Sequence, residues 1–381
     1  MDARTGLPVV GMVGAGQLAR MTHQAAIALG QSLRILAASP EDGAALVAAD
    51  VVLGDHTNYA DLAGFAAGCD VVTFDHEHVP AEHIAALAAA GRTVLPSAAA
   101  LRYAQDKLQM REHLGKLGFP VPRWAPVHDI AELAEFAGGE SFVLKAIRGG
   151  YDGKGVWLSS TVDDMAPVFD SGTALLAEER VPIVRELAAV VARSPFGQGA
   201  AWPVVQTVQD NGICVQVLAP APDLDEDAAA EAQTLALRIA AELDVVGVLA
   251  VELFETADRL IVNELAMRPH NSAHWTIEGS RTSQFEQHLR AVLDYPLGTT
   301  EMTAPVVVMA NVLGGPDGGM PIDERIHHLM ARWPSVKLHL YGKATRPGRK
   351  IGHVTALGDD LEEIRGCAAA AAHWLTHGED A

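Results

Sequence analysis

The sequence predicts a protein of mixed class, in which an α/β first part is followed by an α+β part. Between residues 7 and 100, short apolar runs alternate with alanine-rich helical stretches, which is the β-α-β rhythm of a parallel sheet. Pro120, Pro122 and Pro126 then fall within seven residues and predict a stiff connector. From about residue 141 the predicted strands are longer, and few helices separate them.

The individual elements follow from hydrophobic periodicity and helix-stop residues. Apolar runs bounded by turn residues predict strands, while apolar residues at four-residue spacing, such as Leu235 and Ile239, predict helices. A helix over 105–117 is expected to end at Gly118. In the first part the predicted strands are 7–13, 33–37, 71–74 and 93–95, and the predicted helices are 17–29, 59–67, 81–90 and 105–117. In the second part the predicted strands are 141–147, 174–178, 183–193, 202–208, 212–219, 246–254, 260–265, 305–312, 336–341 and 350–356, and the predicted helices are 226–243, 283–294 and 361–375.

Size, charge and cysteine content narrow the classes of function. The chain has 381 residues, which suggests two or three domains, and a formal net charge of −20 at pH 7. This charge disfavours general binding to nucleic acid or anionic membranes, because both attract basic proteins. The three cysteines form no C-x-x-C pair, which disfavours a disulfide scaffold or a structural zinc site. With no signal peptide or long apolar span in the sequence, we expect a cytoplasmic protein.

A glycine-rich turn follows the first predicted strand. Gly14-Ala-Gly16-Gln-Leu opens a predicted helix, and such glycines allow a pyrophosphate to approach a helix N-terminus. A dinucleotide-binding protein would carry an acidic residue at the end of the second strand, which the stretch 34–39 lacks. The missing acidic residue therefore disfavours NAD binding and a dehydrogenase function. Whether it binds a phosphate or is only structural stays open.

A lysine and a glycine-rich segment predict a phosphate site. Period-two alternation places Lys145 on the same strand face as Val143 and Ile147, and a lysine among apolar neighbours needs an anion. Residues 149–155 (Gly-Gly-Tyr-Asp-Gly-Lys-Gly) form a flap whose amides can surround phosphates, and Lys154 adds charge. The alternative is a flexible hairpin turn beside an edge lysine. The two features together favour phosphate binding.

Two glutamates on neighbouring predicted strands form a candidate metal site. Glu252 lies on a largely apolar strand face, and a hairpin centred on Asp258 places Glu264 directly opposite it. Facing carboxylates repel each other, at a cost that grows with burial. Mg²⁺ that bridges them to a nucleotide removes the repulsion, and Asn263 could supply a further ligand. The alternative is an acidic hairpin that faces solvent.

Two polar loops complete the candidate site. The first, R-P-H-N-S-A-H-W over 268–275, can hold a small anion; zinc is disfavoured because the loop has no cysteine or third close ligand. The second, 343–353, carries four lysines and arginines within eight residues and predicts a phosphate site, the alternative being a solvated hairpin tip. His76, His78 and His83 also look like metal ligands, but an H-x-H at a strand end is more often ordinary surface.

These motifs resemble those of a known enzyme family. The strand lysine, the flap and the paired glutamates are similar to the ATP-grasp superfamily. The strings G-A-G-Q-L from 14, G-G-Y-D-G-K-G from 149, N-E-L-A from 263, H-N-S-A-H-W from 270 and R-P-G-R-K-I-G-H from 346 are similar to the N5-carboxyaminoimidazole ribonucleotide synthetase family, the PurK family of purine biosynthesis. The likeness runs from about residue 7 to 356, and the last two strings are its most specific part.

The resemblance implies a fold and a reaction. It implies a Rossmann-like N-terminal domain over 1–104, an ATP-grasp domain over 105–300 and a small β-rich C-terminal domain over 301–381. The implied enzyme is a cytoplasmic, homodimeric ligase that uses ATP and Mg²⁺, with no nucleic-acid or membrane partner. It would join bicarbonate, activated as carboxyphosphate, to 5-aminoimidazole ribonucleotide in IMP biosynthesis.

The resemblance also implies a role for each matching residue. ATP is expected to contact Lys107, Lys145, Gly150, Tyr151, Asp152, Gly153, Lys154, Gly155, Val156, Glu178, Glu179, Arg180, Val181, Glu186, Asn263 and Glu264. The aminoimidazole ribonucleotide is expected to contact Gln17, Leu18, Glu77, Tyr151, Lys154, Lys343, Arg349 and Lys350. Glu252 and Glu264 would hold the metal. The expected catalytic residues are Arg268, His270, Asn271 and Lys154, with His270 a candidate base for the amine attack.

Two positions depart from the family pattern, and one related activity stays open. Gln209 stands where histidine is frequent, which leaves its contact with ATP open. Asp75 stands where glutamate is frequent, and Glu77 is favoured as the acid that faces the substrate. A formate-dependent glycinamide ribonucleotide transformylase shares the ATP-grasp residues, and only the C-terminal strings disfavour it. A non-catalytic nucleotide sensor is disfavoured by the intact pair of glutamates.

Overall fold

The computed structural model describes residues 1–150, 153–315 and 319–380, and its strands form three sheets. The first sheet is parallel, with the order β3-β2-β1-β4, as the β-α-β rhythm predicted. Its strands and the surrounding helices are β1 (Val9–Val13), α1 (Gln17–Ala28), β2 (Ser32–Ala37), β3 (Asp50–Leu53), α2 (Tyr59–Ala66), β4 (Val71–Phe74), α3 (Ala81–Ala89), α4 (Ala98–Gln105) and α5 (Lys107–Lys116).

Two predictions for this region were wrong. Residues 93–95 do not form a strand, since only a single bridge joins Val94 to Val72. The helix predicted over 105–117 begins instead at Lys107, because Asp106 ends α4 and caps α5. The Asp106 carboxylate accepts a hydrogen bond from the backbone N–H of Gln109 at 2.9 Å, which satisfies a free donor at the helix start.

The second sheet is small and antiparallel, with the order β5-β8-β6-β7. Its elements are β5 (Trp124–Val127), α6 (Ile130–Ala137), β6 (Phe142–Ala146), β7 (Val156–Ser159), a 3₁₀ turn (Asp163–Met165), α7 (Ala166–Asp170) and β8 (Leu175–Glu179). The proline-rich segment predicted as a connector contains β5. Pro126 fits there because an edge strand leaves one side of its backbone unpaired.

The third sheet has nine strands and extends from the middle of the chain to its last part. Its elements are β9 (Arg185–Arg193), β10 (Gly199–Ala201), β11 (Val205–Asp210), β12 (Ile213–Ala219), α8 (Glu226–Glu242), β13 (Gly247–Glu255), β14 (Leu260–Ala266), a 3₁₀ turn (Asn271–Ala273), α9 (Thr276–Gly279), α10 (Gln284–Val292), β15 (Val306–Leu313), α11 (Ile322–Arg332), β16 (Lys337–Leu340), β17 (Lys350–Gly358) and α12 (Leu361–His377). The order is β14-β13-β9-β11-β12-β15-β17-β16, with β10 beside β9. Strands β15–β17 therefore continue the same sheet through the β12–β15 pair.

His288 on α10 joins the first sheet to the third. Its buried ring accepts a hydrogen bond at Nδ1 from the backbone N–H of Val248 on β13, at 3.1 Å. Its Nε2 therefore carries the proton of the neutral ring and donates to Thr73 Oγ1 on β4, at 2.8 Å. Burial lowers the pKa of His288 to about 4, which keeps the ring neutral. The end of β4 is thus held close to strands β13 and β14.

In the described part of the chain, every helix is too short or too polar to cross a bilayer.

Candidate active site

A cavity of about 980 Å³ lies between the first sheet and the edge of the third sheet. Its wall includes Gln17, Glu77, Lys107, Glu252 and Lys350, which are far apart in the sequence. The volume suits a nucleotide-sized ligand. The carboxyl ends of β1 and β4 open into the cavity, at the position where α/β sheets bind ligands. The candidate site residues that line this space are Gln17, Leu18, Glu77, Lys107, Gly150, Glu252, Glu264, Arg268, His270, Asn271 and Lys350.

Glu252 and Glu264 face each other at the bottom of the cavity, as predicted. They are direct partners in the β13–β14 ladder. Glu252 Oε1 lies 3.3 Å from His270 Nε2, and Glu264 Oε1 accepts a hydrogen bond from Lys107 Nζ at 2.6 Å. Burial raises the pKa of Glu252, and the facing Glu264 raises it further. A second cation between the two carboxylates would relieve this repulsion.

A β-bulge brings Asn263 to the same side as Glu264. Leu253 pairs with Val262 and Glu252 pairs with Glu264, so Asn263 is an extra residue on β14. Its amide Nδ2 lies 3.4 Å from Glu252 Oε2, and its Oδ1 accepts a hydrogen bond from Lys145 Nζ at 2.9 Å. In a regular strand Asn263 would point away from the cavity.

Lys145 already has an anionic partner within the chain. Its Nζ lies 2.8 Å from Glu178 Oε2, and both side chains are buried. Burial acts to raise the pKa of Glu178, but Lys145 and Arg111 outweigh it and lower that pKa to about 2. Glu178 therefore supplies the anion that this buried lysine needs. A phosphate would be a second anion beside Lys145.

The loop after β14 presents two groups to the cavity. Arg268 Nε donates to Glu77 Oε2 at 2.8 Å, and the backbone N–H of Met267 donates to Glu77 Oε1 at 3.2 Å. Burial acts to lower the pKa of Arg268, but Glu77 outweighs it, and the pKa lies above its usual value. Asn271 has its amide Oδ1 and Nδ2 buried, with no hydrogen-bond partner for either atom among the described residues. An unsatisfied amide at a cavity wall points to a ligand or water.

Both ring nitrogens of His270 have partners, which bears on its predicted role. Its Nδ1 lies 2.9 Å from Ser272 Oγ and accepts a hydrogen bond from the backbone N–H of Ser272 at 3.4 Å, while Nε2 faces Glu252. Burial lowers the pKa of His270 to about 3, and Arg268 adds to this shift. An Nδ1 that accepts this hydrogen bond favours a proton on Nε2, which would make His270 a donor toward Glu252. The role of His270 as the base for the amine attack stays a prediction.

The glycine-rich turn at residues 14–16 is filled by a carboxylate of the same chain. The backbone N–H of Gly16 donates to Asp75 Oδ2 at 2.6 Å. A Cβ built on Gly14, whose φ is +101°, would lie 1.8 Å from Asp75 Oδ1, so glycine is needed there. Burial raises the pKa of Asp75 to about 6, although the Gly16 amide lowers it in part. The bond between Asp75 and the Gly16 amide supports the structural alternative. Gly14, Gly16 and Gln17 also line the cavity, so the phosphate alternative stays open.

The basic loop between β16 and β17 contributes Lys343 and Lys350. Lys343 Nζ donates to Gln17 Oε1, which joins this loop to the start of α1. Lys350 lines the cavity together with Gln17 and Leu18. Arg349 is exposed and donates to the backbone oxygen of Ala344 at 3.3 Å. Of the two predicted alternatives, the structure therefore brings Lys350 to the cavity.

The remaining predicted nucleotide contacts surround the cavity less closely. Gly150 lines it, Gly153 and Lys154 form an exposed part of the flap, and Tyr151 and Asp152 lie outside the described residues. Glu179, Arg180 and Val181 follow one another at the end of β8. Burial raises the pKa of Glu186 on β9, although a hydrogen bond with Gln209 opposes this. Gln209 therefore has an acidic partner within the chain.

Two residues that position this site were not identified from the sequence. Arg111 on α5 contacts Glu178 and the backbone of β14. Gln284 on α10 binds the backbone of His270 at both its N–H and its carbonyl oxygen. Both are buried polar side chains on helices, and helix periodicity gave no signal that distinguished them from surface residues.

Comparison with known families covers the three parts of the chain. The profile of the ATP-grasp domain matches residues 112–285, and that of the ribonucleotide synthetase preATP-grasp domain matches residues 7–105. The profile of the phosphoribosylaminoimidazole carboxylase C-terminal domain matches residues 307–366.

Individual relatives match over nearly the whole chain. The N5-carboxyaminoimidazole ribonucleotide synthase of Mycobacterium tuberculosis (strain ATCC 25618 / H37Rv) is 60% identical over 379 residues, covering 97% of this chain and 88% of that protein. The corresponding synthase of Corynebacterium ammoniagenes is 51% identical over 384 residues, covering 98% and 93%. Two crystal structures of such enzymes are also similar. The one from Thermus thermophilus has a TM-score of 0.86 at 37% identity and covers 97% of this chain and 99% of that chain. The one from Aspergillus clavatus, in complex with ADP and 5-aminoimidazole ribonucleotide, has a TM-score of 0.87 at 31% identity and covers 97% and 98%.

Proposed function

This chain belongs to the N5-carboxyaminoimidazole ribonucleotide synthase family of ATP-grasp ligases. We propose that the cavity described above is its active site. The protein is an ATP-dependent ligase that carboxylates 5-aminoimidazole ribonucleotide in purine biosynthesis. The proposal concerns the carbon source, the metal and the role of each residue. The observation that carries it is the facing pair Glu252 and Glu264, between the cations Lys107 and Lys145 and the anion-binding loop at Arg268.

We propose that Glu252 and Glu264 hold Mg²⁺. The raised pKa of Glu252 supports this, because a carboxylate that resists ionisation beside another acid favours a bound cation. Asn263 turns its Nδ2 toward Glu252 and its Oδ1 toward Lys145, so it would become a further oxygen ligand only if its amide rotated. When bound, the metal would neutralise charge on the transferring phosphoryl group. Lys107 would then leave Glu264 and contact phosphate oxygens instead.

We propose that ATP lies along the edge of the third sheet, between β8 and β14. Lys145 and Lys107 would contact its phosphates, as would the flap residues from Gly150 to Val156. The segment from Glu178 to Val181, together with Glu186, would contact the rest of the nucleotide. The Glu178 carboxylate is occupied by Lys145 and Arg111, which favours its backbone as the contacting group.

Bicarbonate is the proposed carbon source, and Arg268, His270 and Asn271 would bind it. Bicarbonate has both acceptor oxygens and one hydroxyl donor, which match the unsatisfied Nδ2 and Oδ1 of Asn271. The guanidinium of Arg268 would bind the anion and stabilise the charge that develops during phosphoryl transfer. Attack of bicarbonate on the γ-phosphate would give carboxyphosphate and ADP, and His270 would donate from Nε2.

The aminoimidazole ribonucleotide is proposed to lie against the first sheet and the basic loop. Gln17, Leu18, Lys343 and Lys350 would bind its phosphate end, and Arg349, Tyr151 and Lys154 are further proposed contacts of this substrate. Glu77 would orient Arg268 toward the reacting carbon and face the substrate. The exocyclic amine would attack the carbon of carboxyphosphate, or CO₂ released from it, and phosphate would leave. A closed flap would exclude water from the reactive intermediate.

We also propose the assembly and location of the protein. The proposed domains span 1–104, 105–300 and 301–381, with strands β15–β17 completing the sheet of the middle domain. A homodimer is supported by exposed apolar side chains on the N-terminal unit, among them Ile27, Leu46 and Leu53. Light scattering would test the dimer. We propose a cytoplasmic location because the relatives of this chain are metabolic enzymes of purine synthesis.

One assay tests the proposed reaction. ADP release by the purified protein is measured with 5-aminoimidazole ribonucleotide, with and without bicarbonate, and separately with glycinamide ribonucleotide plus formate. We expect turnover with the first substrate only, and a fall in rate when bicarbonate is depleted. Turnover with the second pair alone, or a rate insensitive to bicarbonate, would contradict the proposal and favour the transformylase alternative.

A further inference from the structure

We infer that Arg111 is a positioning residue for nucleotide binding: its guanidinium sets the distance between β8 of the small sheet and β14 of the large sheet. The inference rests on the proposed function for the identity of the ligand, since the cleft between these strands is the proposed ATP site. Arg111 itself is fully buried on α5 and touches the reacting groups only through Glu178 and Asn263.

The guanidinium of Arg111 uses three separate nitrogens for contacts on two sheets. Nε donates to Glu178 Oε1 on β8 at 2.7 Å. Nη1 donates to the backbone oxygen of Val262 at 3.0 Å, and Nη2 donates to that of Asn263 at 2.7 Å, both on β14. The planar fork of arginine fits this arrangement, whereas the single ammonium of lysine cannot reach three fixed acceptors in one plane.

The backbone oxygens of Val262 and Asn263 are available because of where they lie. Strand β14 is at the edge of the third sheet, and Asn263 is the extra residue of the bulge. Both features leave backbone groups without a partner strand. The carbonyl of Pro120 accepts the backbone N–H of Val262 at 2.8 Å, so Arg111 and Pro120 together cover this edge.

The contacts close into a ring that includes three predicted nucleotide contacts, Glu178, Lys145 and Asn263. Glu178 uses its second oxygen, Oε2, to bind Lys145 Nζ at 2.8 Å. Lys145 in turn donates to Asn263 Oδ1 at 2.9 Å. The backbone oxygen of Asn263 accepts a hydrogen bond from Arg111 Nη2, which closes the ring. Glu264 follows Asn263 directly. The placement of Lys145 and of the acidic pair therefore depends on the same guanidinium.

Loss of Arg111 would change the site in two ways. Glu178 would keep Lys145 as its main cation, and this buried carboxylate would then compete with phosphate for Lys145. Two carbonyl oxygens at the edge of β14 would also lose their donor, which loosens the segment that carries Asn263 and Glu264. Both effects weaken nucleotide binding, while the contacts of the aminoimidazole ribonucleotide on the first sheet stay unchanged.

Arg325 on α11 provides a matched control. It is also buried, its Nε donates to Met320 O at 2.8 Å, and its Nη1 donates to Leu375 O and Thr376 O at 3.0 and 2.7 Å. These contacts lie in the C-terminal part of the chain, away from the cavity. Arg325→Lys therefore removes a comparable fork without touching the proposed ATP site.

The test compares Arg111→Lys with Arg325→Lys in the full-length protein. MgADP binding is measured by calorimetry, and the KM values for ATP and for aminoimidazole ribonucleotide by ADP release. We expect a lower unfolding temperature in both variants. Only Arg111→Lys should bind MgADP and ATP about tenfold or more weakly, which corresponds to roughly 1.4 kcal/mol, with the KM for aminoimidazole ribonucleotide unchanged.

Two further variants keep the inference testable if Arg111→Lys is too unstable. In Arg111→Gly, millimolar guanidinium is expected to restore part of the MgADP affinity, whereas Arg325→Gly should show no such effect. Arg111→Met removes all three donors but keeps a long side chain; Glu178 keeps Lys145 as a cation, so its carboxylate is not left unpaired, and the variant should fold yet bind MgADP weakly. Normal MgADP affinity in Arg111→Lys or in Arg111→Met, or equal weakening in Arg325→Lys, would overturn the inference. Because MgADP binding is measured without the other substrates, this outcome is separate from failure of the proposed carboxylation.

Discussion

Glu252 and Glu264 are direct partners across β13 and β14, and a different side chain contacts each of them. His270 Nε2 lies 3.3 Å from Glu252, while Lys107 Nζ lies 2.6 Å from Glu264. The two acids therefore share no bridging group from the chain among the described residues. This relationship supports the proposed metal site, and it determines what a charge-removing substitution does.

Glu264→Gln should lower turnover by about a hundredfold or more, because it removes one of the two carboxylates proposed to hold the Mg²⁺ that neutralises charge on the phosphates. The amide keeps an oxygen for Lys107, so the fold should persist. Without metal, the variant should be as stable as the wild type or more so, since like-charge repulsion is relieved. Rates and thermal unfolding should be measured across a Mg²⁺ titration.

The control for this prediction is Glu242→Gln, which removes one exposed acid from α8. It should leave both rate and Mg²⁺ dependence unchanged. A Glu264→Gln enzyme with near-normal turnover and the same Mg²⁺ requirement would remove the metal assignment.

Gln284→Leu should impair bicarbonate use. Gln284 Oε1 accepts the N–H of His270 at 2.7 Å, and its Nε2 donates to the carbonyl oxygen of His270 at 2.8 Å. Loss of both bonds leaves two polar backbone groups unsatisfied, at a cost of about 2 kcal/mol or more, and displaces the anion-binding loop. We expect the KM for bicarbonate to rise by about tenfold.

Gln287 on the same helix makes the same pair of bonds elsewhere. It donates to the carbonyl oxygen of Gly298 and accepts its N–H, both at 2.8 Å. Gln287→Leu should therefore lose similar stability, measured by urea unfolding, with no change in the KM for bicarbonate. If both variants raised that KM equally, the effect would be general destabilisation rather than placement of His270.

The acidic pair shows what sequence periodicity can and cannot predict. A hairpin centred on Asp258 correctly placed Glu264 opposite Glu252. In the structure Glu255 pairs with Leu260 and Leu253 with Val262, so the regular part of the hairpin is centred half a residue earlier. The extra residue Asn263 restores the predicted pairing. A bulge has no periodic signal, so the turn of Asn263 toward Lys145 could not be predicted.

Other elements were missed for related physical reasons. Strands β3, β5 and β7 are short and lie at sheet edges, and helix α6 is also short, so their patterns extend over few residues. Helix α11 has 11 residues, more than the 9 of the predicted α10, so length does not explain why it was missed. Longer strands and helices such as β9, β13, α8 and α12 were predicted closely, because their periodic patterns extend over many residues. Arg111 and Gln284 were missed because their roles depend on contacts with distant strands and loops. A single arginine or glutamine on a helix predicts exposure.

Acid should destabilise the protein through His288, and the sign follows from its lowered pKa. The unfolded chain binds a proton near pH 6.5, whereas the folded protein resists protonation until about pH 4. The unfolded state therefore binds more protons in this window, and stability falls as pH falls. Relative to His288→Asn, the wild type should lose about 2 kcal/mol more between pH 7 and about pH 5. Urea unfolding at both pH values measures this difference, and parallel pH profiles would contradict the assignment.

Asp75 should act in the opposite direction. Burial against the glycine turn raises its pKa to about 6, above the usual value of 3.8, so the folded protein holds the proton to higher pH than the unfolded chain does. In this window the folded state binds more protons, and stability falls as pH rises. An asparagine keeps an oxygen for the Gly16 N–H but does not titrate. Between about pH 4 and pH 7, the wild type should therefore lose about 2 kcal/mol relative to Asp75→Asn. Urea unfolding of the two proteins checks the sign directly. If the stability difference stayed constant over this range, or favoured the wild type more at pH 7, the prediction would be wrong. The turn would then not hold the Asp75 carboxylate in a desolvated state.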